Sequence, residues 1–555
     1  MTRARAIVRR IAGCLAGALF ALATQTHAQT PGDNALTVEA QAGAVHGAVE
    51  GGVRVFRGLP YAQPPTGAWR WRPPRPADPW TGVREATTFG PACMQPVAPP
   101  GGLYGDSPAR MDEDCLSLNI WTPPQAKGAP VLVWIHGGAL LGGSGSDASY
   151  DGARLAAQGL VVVTINYRLG VLGWLAHPEL SAESPAGISG NYGLMDQIAA
   201  LAWVKRNIAA FGGDPDKVTI AGQSAGALSV LYLMAAPPAR GLFQRAIVQS
   251  GYMVPAPALK RAGFGAPAAE KVGELIGLSL GAQDLTALRA LDARTLTNRA
   301  TMAGFLPMGV ADGRLLPRQL TETFDRGEQA PVAVMAGFTT GETRSLRGLV
   351  PKPPSGGAAG YEAAIRSRYG DLADAYLKLY PAATEDESLL AASRDALYGW
   401  TAQRVADKQT ALGQPAYLYV FDHGYPAADG AGLHAFHAAE IPFAFGTLDR
   451  LPPHWPRPPD TPAEAALSDA MVGYWASFAQ GGAPTAAGAP AWPAYGDAKG
   501  YMDFAATPVA GHDPMPGMYP LNEAIACRRA KAARPWGWLP GPAGPSTPAK
   551  VSGCD

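Results

Sequence analysis

Four short runs of the chain are apolar without interruption: residues 131–135 (VLVWI), 161–165 (VVVTI), 218–220 (VTI) and 332–336 (VAVMA). Runs of this length, rich in β-branched residues and lacking alternation, predict strands buried on both faces of a largely parallel sheet. Between them, residues 196–210 place Ile198, Leu201, Ala202, Val204 and Ile208 on one side of a helical period, which predicts a helix with one face on the core. The alternation predicts an α/β fold with a large, mostly parallel central sheet flanked by helices. Helical patterns at 269–276 and 285–291 fall within a region, about 255–330, expected to cover the sheet edge as a cap and wall a cleft. Two Gly/Pro-rich stretches read differently: 350–360 as a surface loop, and 535–550 as a tail held by its flanking cysteines. No internal repeat is found.

Residues 218–230 (VTIAGQSAGALSV) change character partway. An apolar run breaks at Gly222-Gln223-Ser224-Ala225-Gly226 and resumes as helix-forming residues. A serine on such a strand-turn-helix corner sits in a strained backbone conformation that pushes its hydroxyl outward, and the flanking glycines let strand and helix approach without Cβ clashes.

Composition adds an export signal and removes several partners. At 555 residues and 47% hydrophobic, with no domain-sized shift in composition, residues 29–555 are expected to form one catalytic domain. Residues 1–28 carry Arg3, Arg5, Arg9 and Arg10, an apolar stretch over 11–23, and Thr26-His27-Ala28 as a small-residue cleavage site. This predicts a signal peptide and an exported protein, periplasmic or secreted. The Ile11-Ala12-Gly13-Cys14 run precedes the apolar stretch instead of following it, so it is not read as a lipidation site. Cleavage would leave 41 basic against 45 acidic residues, a balance that recruits neither nucleic acid nor an anionic membrane. No later segment approaches 18 uninterrupted apolar residues, so no stable membrane anchor is expected. Cys93, Cys115, Cys527 and Cys554 remain; an even count in an exported chain without CxxC spacing favours disulfides over metal ligation. Short-range pairing, Cys93 with Cys115 and Cys527 with Cys554, is expected among three connectivities.

A serine hydroxyl needs a base, an acid that orients the base, and donors for a developing oxyanion. In α/β-hydrolases the chain order is serine, acid, histidine. Downstream of Ser224 lie His423, His434, His437, His454 and His512.

Phe56-Arg57-Gly58-Leu59-Pro60-Tyr61-Ala62-Gln63-Pro64-Pro65, Glu113-Asp114-Cys115-Leu116, Asn166-Tyr167-Arg168-Leu169-Gly170, Phe211-Gly212-Gly213-Asp214-Pro215, the Ser224 corner and Trp475 follow one another along the chain. In this set and order the sequence resembles the type B carboxylesterases, the family of cholinesterases, para-nitrobenzyl esterases and many exported bacterial esterases. The resemblance spans nearly the whole mature chain. It implies a serine carboxylic ester hydrolase with an α/β-hydrolase fold, no cofactor and no metal.

By family position, His437 is the base, three residues before Glu440 and ahead of Ile441-Pro442-Phe443-Ala444-Phe445. His434 is the nearest rival, otherwise a polar loop residue. Glu342 takes the place of the acid, although Gly341-Glu342-Thr343 departs from the family's Asp-Glu-Gly run. The N–H groups of Gly138, Ala139 and Ala225 are the expected oxyanion donors, with Gly137 as support in the His136-Gly137-Gly138-Ala139 turn. Ser229 matches a position that supports the acid from behind, or else bonds its own helix backbone.

Two departures bear on substrate. Cholinesterases grip a cation with a tryptophan in the first disulfide loop and an acid before the nucleophile. Here that loop offers Tyr104 and no tryptophan, and position 223 is Gln, so a small-molecule ester with a neutral or anionic acyl group fits better than a choline ester. His177-Pro178-Glu179-Leu180 and Gly190-Asn191-Tyr192-Gly193-Leu194 also resemble bacterial esterases that include fumonisin-hydrolysing members. The alternatives are amide or carbamate cleavage at the same serine, and a non-catalytic binding protein of the adhesion type.

Overall fold

The computed structural model describes residues 36–554. The signal peptide expected at residues 1–28 lies outside the described residues.

An eleven-stranded sheet organises the chain. In chain order its strands are β1 (Ala48–Glu50), β2 (Val53–Pro60), β3 (Ser117–Thr122), β4 (Ala129–Ile135), β5 (Val161–Ile165), β6 (Gly213–Gln223), β7 (Arg245–Gln249), β8 (Ala333–Thr339), β9 (Ala416–Phe421), β10 (Gly500–Phe504) and β11 (Pro508–His512). Across the sheet they run β11-β10-β9-β8-β7-β6-β4-β5-β3-β2-β1. The seven from β10 to β5 are mutually parallel. The remaining pairings are antiparallel and lie at the two margins.

The uninterrupted apolar runs have a direct physical cause. In β4, Val131, Val133 and Ile135 enter one hydrophobic cluster while Leu132 and Trp134 enter another on the opposite face. Both faces are covered, so alternation would have placed a polar side chain in a core. The helix expected at 196–210 forms as Tyr192–Asn207, followed by a 3₁₀ turn at Ile208–Phe211.

Two expectations need correction. The region 255–330 forms helices at Ala269–Ser279, Leu285–Ala290 and Ala293–Met302, but it lies over other helices and not over a sheet edge. Gly273 leaves no room for a Cβ against the Ala176 carbonyl, Asn191 donates to the Val310 carbonyl at 2.8 Å, and Arg289 pairs with Glu183. The sheet edges themselves are β1 and β11. Second, the Gly-rich stretch 350–360 is not loop throughout, because a helix starts at Gly357 and runs to Tyr369. Gly356 and Gly357 have positive φ, and Gly360 would clash with the Ser355 carbonyl if it carried a Cβ, so glycine here permits a tight helix start.

The motif residues away from the serine serve the scaffold. Arg168 pairs with Asp196 through two hydrogen bonds of 2.8 and 2.7 Å, both side chains buried. Glu113 holds Arg70 in the same two-point manner. Asn166 accepts from the Gly145 N–H at 2.8 Å and fixes the turn after β4. Disulfides join Cys93 to Cys115 and Cys527 to Cys554.

Candidate active site

Ser224 follows β6 directly and caps the helix Ala225–Ala235 with φ +58° and ψ −123°, a backbone region that side-chain-bearing residues rarely occupy. The packing that enforces it is visible at the two glycines. A Cβ on Gly226 would lie 2.0 Å from the Ile135 carbonyl oxygen, and one on Gly222 would lie 2.5 Å from the Gly226 carbonyl carbon. The turn is thus squeezed between its own helix and β4. The Ser224 N–H is anchored to the Gln249 carbonyl at 2.9 Å.

The turn after β4 faces this corner. A Cβ on Gly137 would come within 2.8 Å of the Gln223 carbonyl oxygen and 3.3 Å of Ser224 Cβ. Beyond it, Gly138, Ala139 and Leu140 take positive φ in succession, at 105°, 56° and 57°. Gly138 and Ala139 are exposed. The N–H groups of Gly138, Ala139 and Ala225 have no hydrogen-bond partner among the described residues. His136 holds the turn from beneath. It is buried, stacks on Tyr167 at 4.5 Å and contacts the Gly137 carbonyl through Nδ1 at 2.8 Å. Burial pushes its pKa down to about 4, so it stays neutral. Among the described residues no His, Cys, Asp and Glu cluster could hold a metal.

His437 and Glu342 meet. His437 Nδ1 bonds Glu342 Oε2 in a short contact with both side chains buried, and Glu342 Oε1 accepts the Thr339 N–H at 3.0 Å. Nδ1 therefore carries the proton and Nε2 keeps its lone pair. The Gln223 amide occupies that lone pair, with nitrogen to nitrogen at 3.2 Å. No hydrogen bond links the Ser224 hydroxyl to His437; the imidazole touches the residue next to the serine instead.

Ser229 does not reach Glu342. Its hydroxyl donates to the Ala225 carbonyl at 3.0 Å and accepts from Gln197 at 2.9 Å. It sits one turn along the helix from Ser224, and back-bonding to the preceding turn satisfies it there. His434 lies apart from the serine, between two aspartates.

Two site neighbours, Gln249 and Tyr398, escaped the sequence. Gln249, at the C-terminal end of the strand beside β6, donates to Glu440 Oε1 at 3.1 Å and accepts from Trp475 Nε1 at 2.9 Å. Glu440 is buried, and burial, then the charge of Glu342, pushes its pKa up to about 7. The position of Gln249 at a strand's carboxyl end was the available signal. Tyr398, from a π-helical turn at Asp395–Gly399, packs 5.3 Å from the His437 ring, and no local pattern marks it. Tyr104, within the first disulfide loop, sets its hydroxyl 2.7 Å from Ser345 Oγ and 3.2 Å from the His437 carbonyl. A surface cleft of about 540 Å³ beside Arg54, Lys127 and Asp214 lies at the opposite end of β6 from Ser224.

A parallel sheet bearing a strained serine at the end of a central strand, with a histidine and a carboxylate supplied by later loops, defines an α/β-hydrolase. The carboxylesterase family model matches residues 34–515. The chain is 38% identical over 496 residues to the fumonisin B1 esterase of Sphingopyxis macrogoltabida, covering 86% of this chain and 87% of that protein. It is 37% identical over 466 residues to the para-nitrobenzyl esterase of Bacillus subtilis, covering 82% and 92%. A solved carboxylesterase of Geobacillus stearothermophilus superposes with a TM-score of 0.75 at 36% identity, over 88% of this chain and 99% of that one. The chain belongs to the carboxylesterase family, type B, and is a carboxylic ester hydrolase.

Proposed function

We propose that Ser224 is the nucleophile of an acyl-enzyme cycle in which His437 moves the proton and Glu342 orients the histidine. The observation that carries this reading is the buried Glu342–His437 pair, which leaves Nε2 as a proton acceptor beside the serine corner. Ester binding displaces the Gln223 amide from Nε2 and lets the Ser224 hydroxyl take its place; such contacts commonly tighten only when substrate is bound. Ser224 Oγ then attacks the ester carbonyl as its proton passes to Nε2. Glu342 stabilises the imidazolium, and the N–H groups of Gly138, Ala139 and Ala225 receive the oxyanion. Collapse returns the proton to the departing alcohol, and water repeats the sequence on the acyl-enzyme.

The favoured substrates are esters of neutral or anionic acids. Uncharged Gln223 replaces the acid that would attract a cation, and Tyr104 is the aromatic that the disulfide loop presents. The arginine-led apolar N-terminus and the two disulfides support export to the periplasm or medium.

The test is labelling by a fluorophosphonate together with turnover of short para-nitrophenyl esters. Wild-type protein should be labelled one to one, and Ser224→Ala should lose labelling and at least about 10³-fold in kcat. Undiminished turnover in folded Ser224→Ala would remove the assignment.

A further inference from the structure

His434 is held by carboxylates at both ring nitrogens: Nδ1 is 2.8 Å from Asp429 Oδ1, and Nε2 is 3.0 Å from Asp422 Oδ1. A neutral imidazole carries one N–H and would set its other nitrogen's lone pair against a carboxylate. Only the imidazolium satisfies both contacts. Space is reserved for the arrangement, since a Cβ on Gly424 would fall 2.2 Å from His434 Nδ1 and 2.6 Å from Asp429 Oδ1. His434 also adopts φ +52°, a conformation that requires compensation in a residue bearing a side chain.

The connections lead to both proposed catalytic loops. Asp422 Oδ1 also accepts from the Thr340 hydroxyl at 2.5 Å, and Thr340 is two residues from Glu342. Gly341 donates to the Ala435 carbonyl at 2.8 Å, and Ala435 is two residues from His437. The acid loop and the histidine loop thus meet at two adjacent points, one through backbone and one through the His434–Asp422–Thr340 chain.

We infer that His434 is a positioning residue for the reaction: its imidazolium, clamped between Asp422 and Asp429, fixes the loop carrying His437 against the loop carrying Glu342. This rests on the catalytic reading above. Partial exposure of the three side chains, 41%, 43% and 52%, limits its strength, because exposed pairs contribute little each. A several-fold effect on kcat follows, not a thousandfold one.

The pH dependence has a definite sign. The two aspartates raise the His434 pKa against the opposing effect of partial burial. The clamp is therefore complete at low pH and is lost as pH rises through that raised value. Other groups face the same cluster. Asp503 on β10, beside Asp422, is raised to about 6 by burial and then by the Asp422 charge, and so titrates on the acid side. Tyr501 is raised and titrates further up. The Arg394 guanidinium donates to the Thr340 carbonyl and stays charged throughout.

The experiment is kcat and KM for a neutral para-nitrophenyl ester from pH 5 to 10, in wild type, His434→Asn and Asp429→Asn. Asparagine tolerates the backbone of residue 434 but does not titrate. Wild type should lose threefold or more in kcat on the alkaline side with KM unchanged. His434→Asn should lie at the lower level across the range with that step gone, and Asp429→Asn should move the step to lower pH. Wild-type kcat and profile in folded His434→Asn would overturn the inference; should that variant not fold, an unmoved step in Asp429→Asn would do so. Fluorophosphonate labelling of wild type separates this outcome from failure of the catalytic reading, which would abolish labelling altogether.

Discussion

The amide of Gln223 occupies the one nitrogen of His437 that the proposed proton transfer needs. Replacing it with a carboxylate would set a negative charge against the imidazolium and favour the protonated ring. A proton acceptor works when neutral, so Gln223→Glu should lower kcat/KM on the acid side of the profile. Activity at pH 6 would fall relative to pH 8, while the alkaline plateau changes less. A pH series with an uncharged ester checks this, and an unmoved acidic limb would show that residue 223 does not bear on the base. Residues of this kind differ in how far the chain reveals them. Ser224 lies within a local pattern, and His437 and Glu342 follow it in a fixed order beside recognisable neighbours. Ser229 was legible only as one of two arrangements, because a helical serine finds an acceptor in its own preceding turn wherever the acid lies.

At the scale of elements, the tightest constraint is the approach of the Ser224 corner to β4. Gly226→Ala would push a methyl to 2.0 Å from the Ile135 carbonyl, a backbone atom within the central sheet that has nowhere to move. We expect a loss of about 1–3 kcal/mol or more in stability. Gly348→Ala is the control, since nothing lies within 4 Å of its added methyl; it should change stability by less than about 0.5 kcal/mol. Urea unfolding of both variants decides the matter, and equal midpoints would refute the packing argument. The four central strands β4, β5, β6 and β8 announced themselves through uninterrupted apolar runs, whereas the buried strands β3 and β7 did not, because Ser117, Asn119, Arg245 and Gln249 break theirs. The marginal strands β1 and β11 did not, since their residues are half-exposed or exposed and leave no run to read. The helix at Gly357–Tyr369 was hidden for another reason: its glycine-rich start answers to local backbone crowding, which composition reports as a loop.

Across the whole molecule, the C-terminal tail is tied into the site by a route that no local pattern encodes. Trp538 packs 5.8 Å from Tyr252, Tyr252 lies 6.1 Å from Tyr398, and Tyr398 lies 5.3 Å from His437. The sequence placed cysteines on either side of this tail, but where the tail lies depends on residues hundreds of positions away. The Trp536 indole donates to the Met253 carbonyl at 2.8 Å, and the Thr547 N–H donates to the Arg368 carbonyl at 2.7 Å. The Cys527–Cys554 bond closes a loop of 27 residues, worth roughly 3–4 kcal/mol in the chain-entropy model. That stabilisation belongs to the tail more than to the sheet, whose two hydrophobic clusters include neither cysteine. Replacing both cysteines by serine should therefore leave the sheet folded while the tail opens more often, as a local unit of lower stability. Proteolysis under native conditions should cut within 532–554 faster in the double variant than in the oxidised protein, read by mass spectrometry of the fragments. Because the aromatic chain ends on the His437 ring, kcat/KM should fall with tail opening and recover when the tail is held closed at lower temperature. Equal cutting rates in the two proteins would mean that the indole and backbone contacts hold the tail alone, with the disulfide adding nothing to its docking.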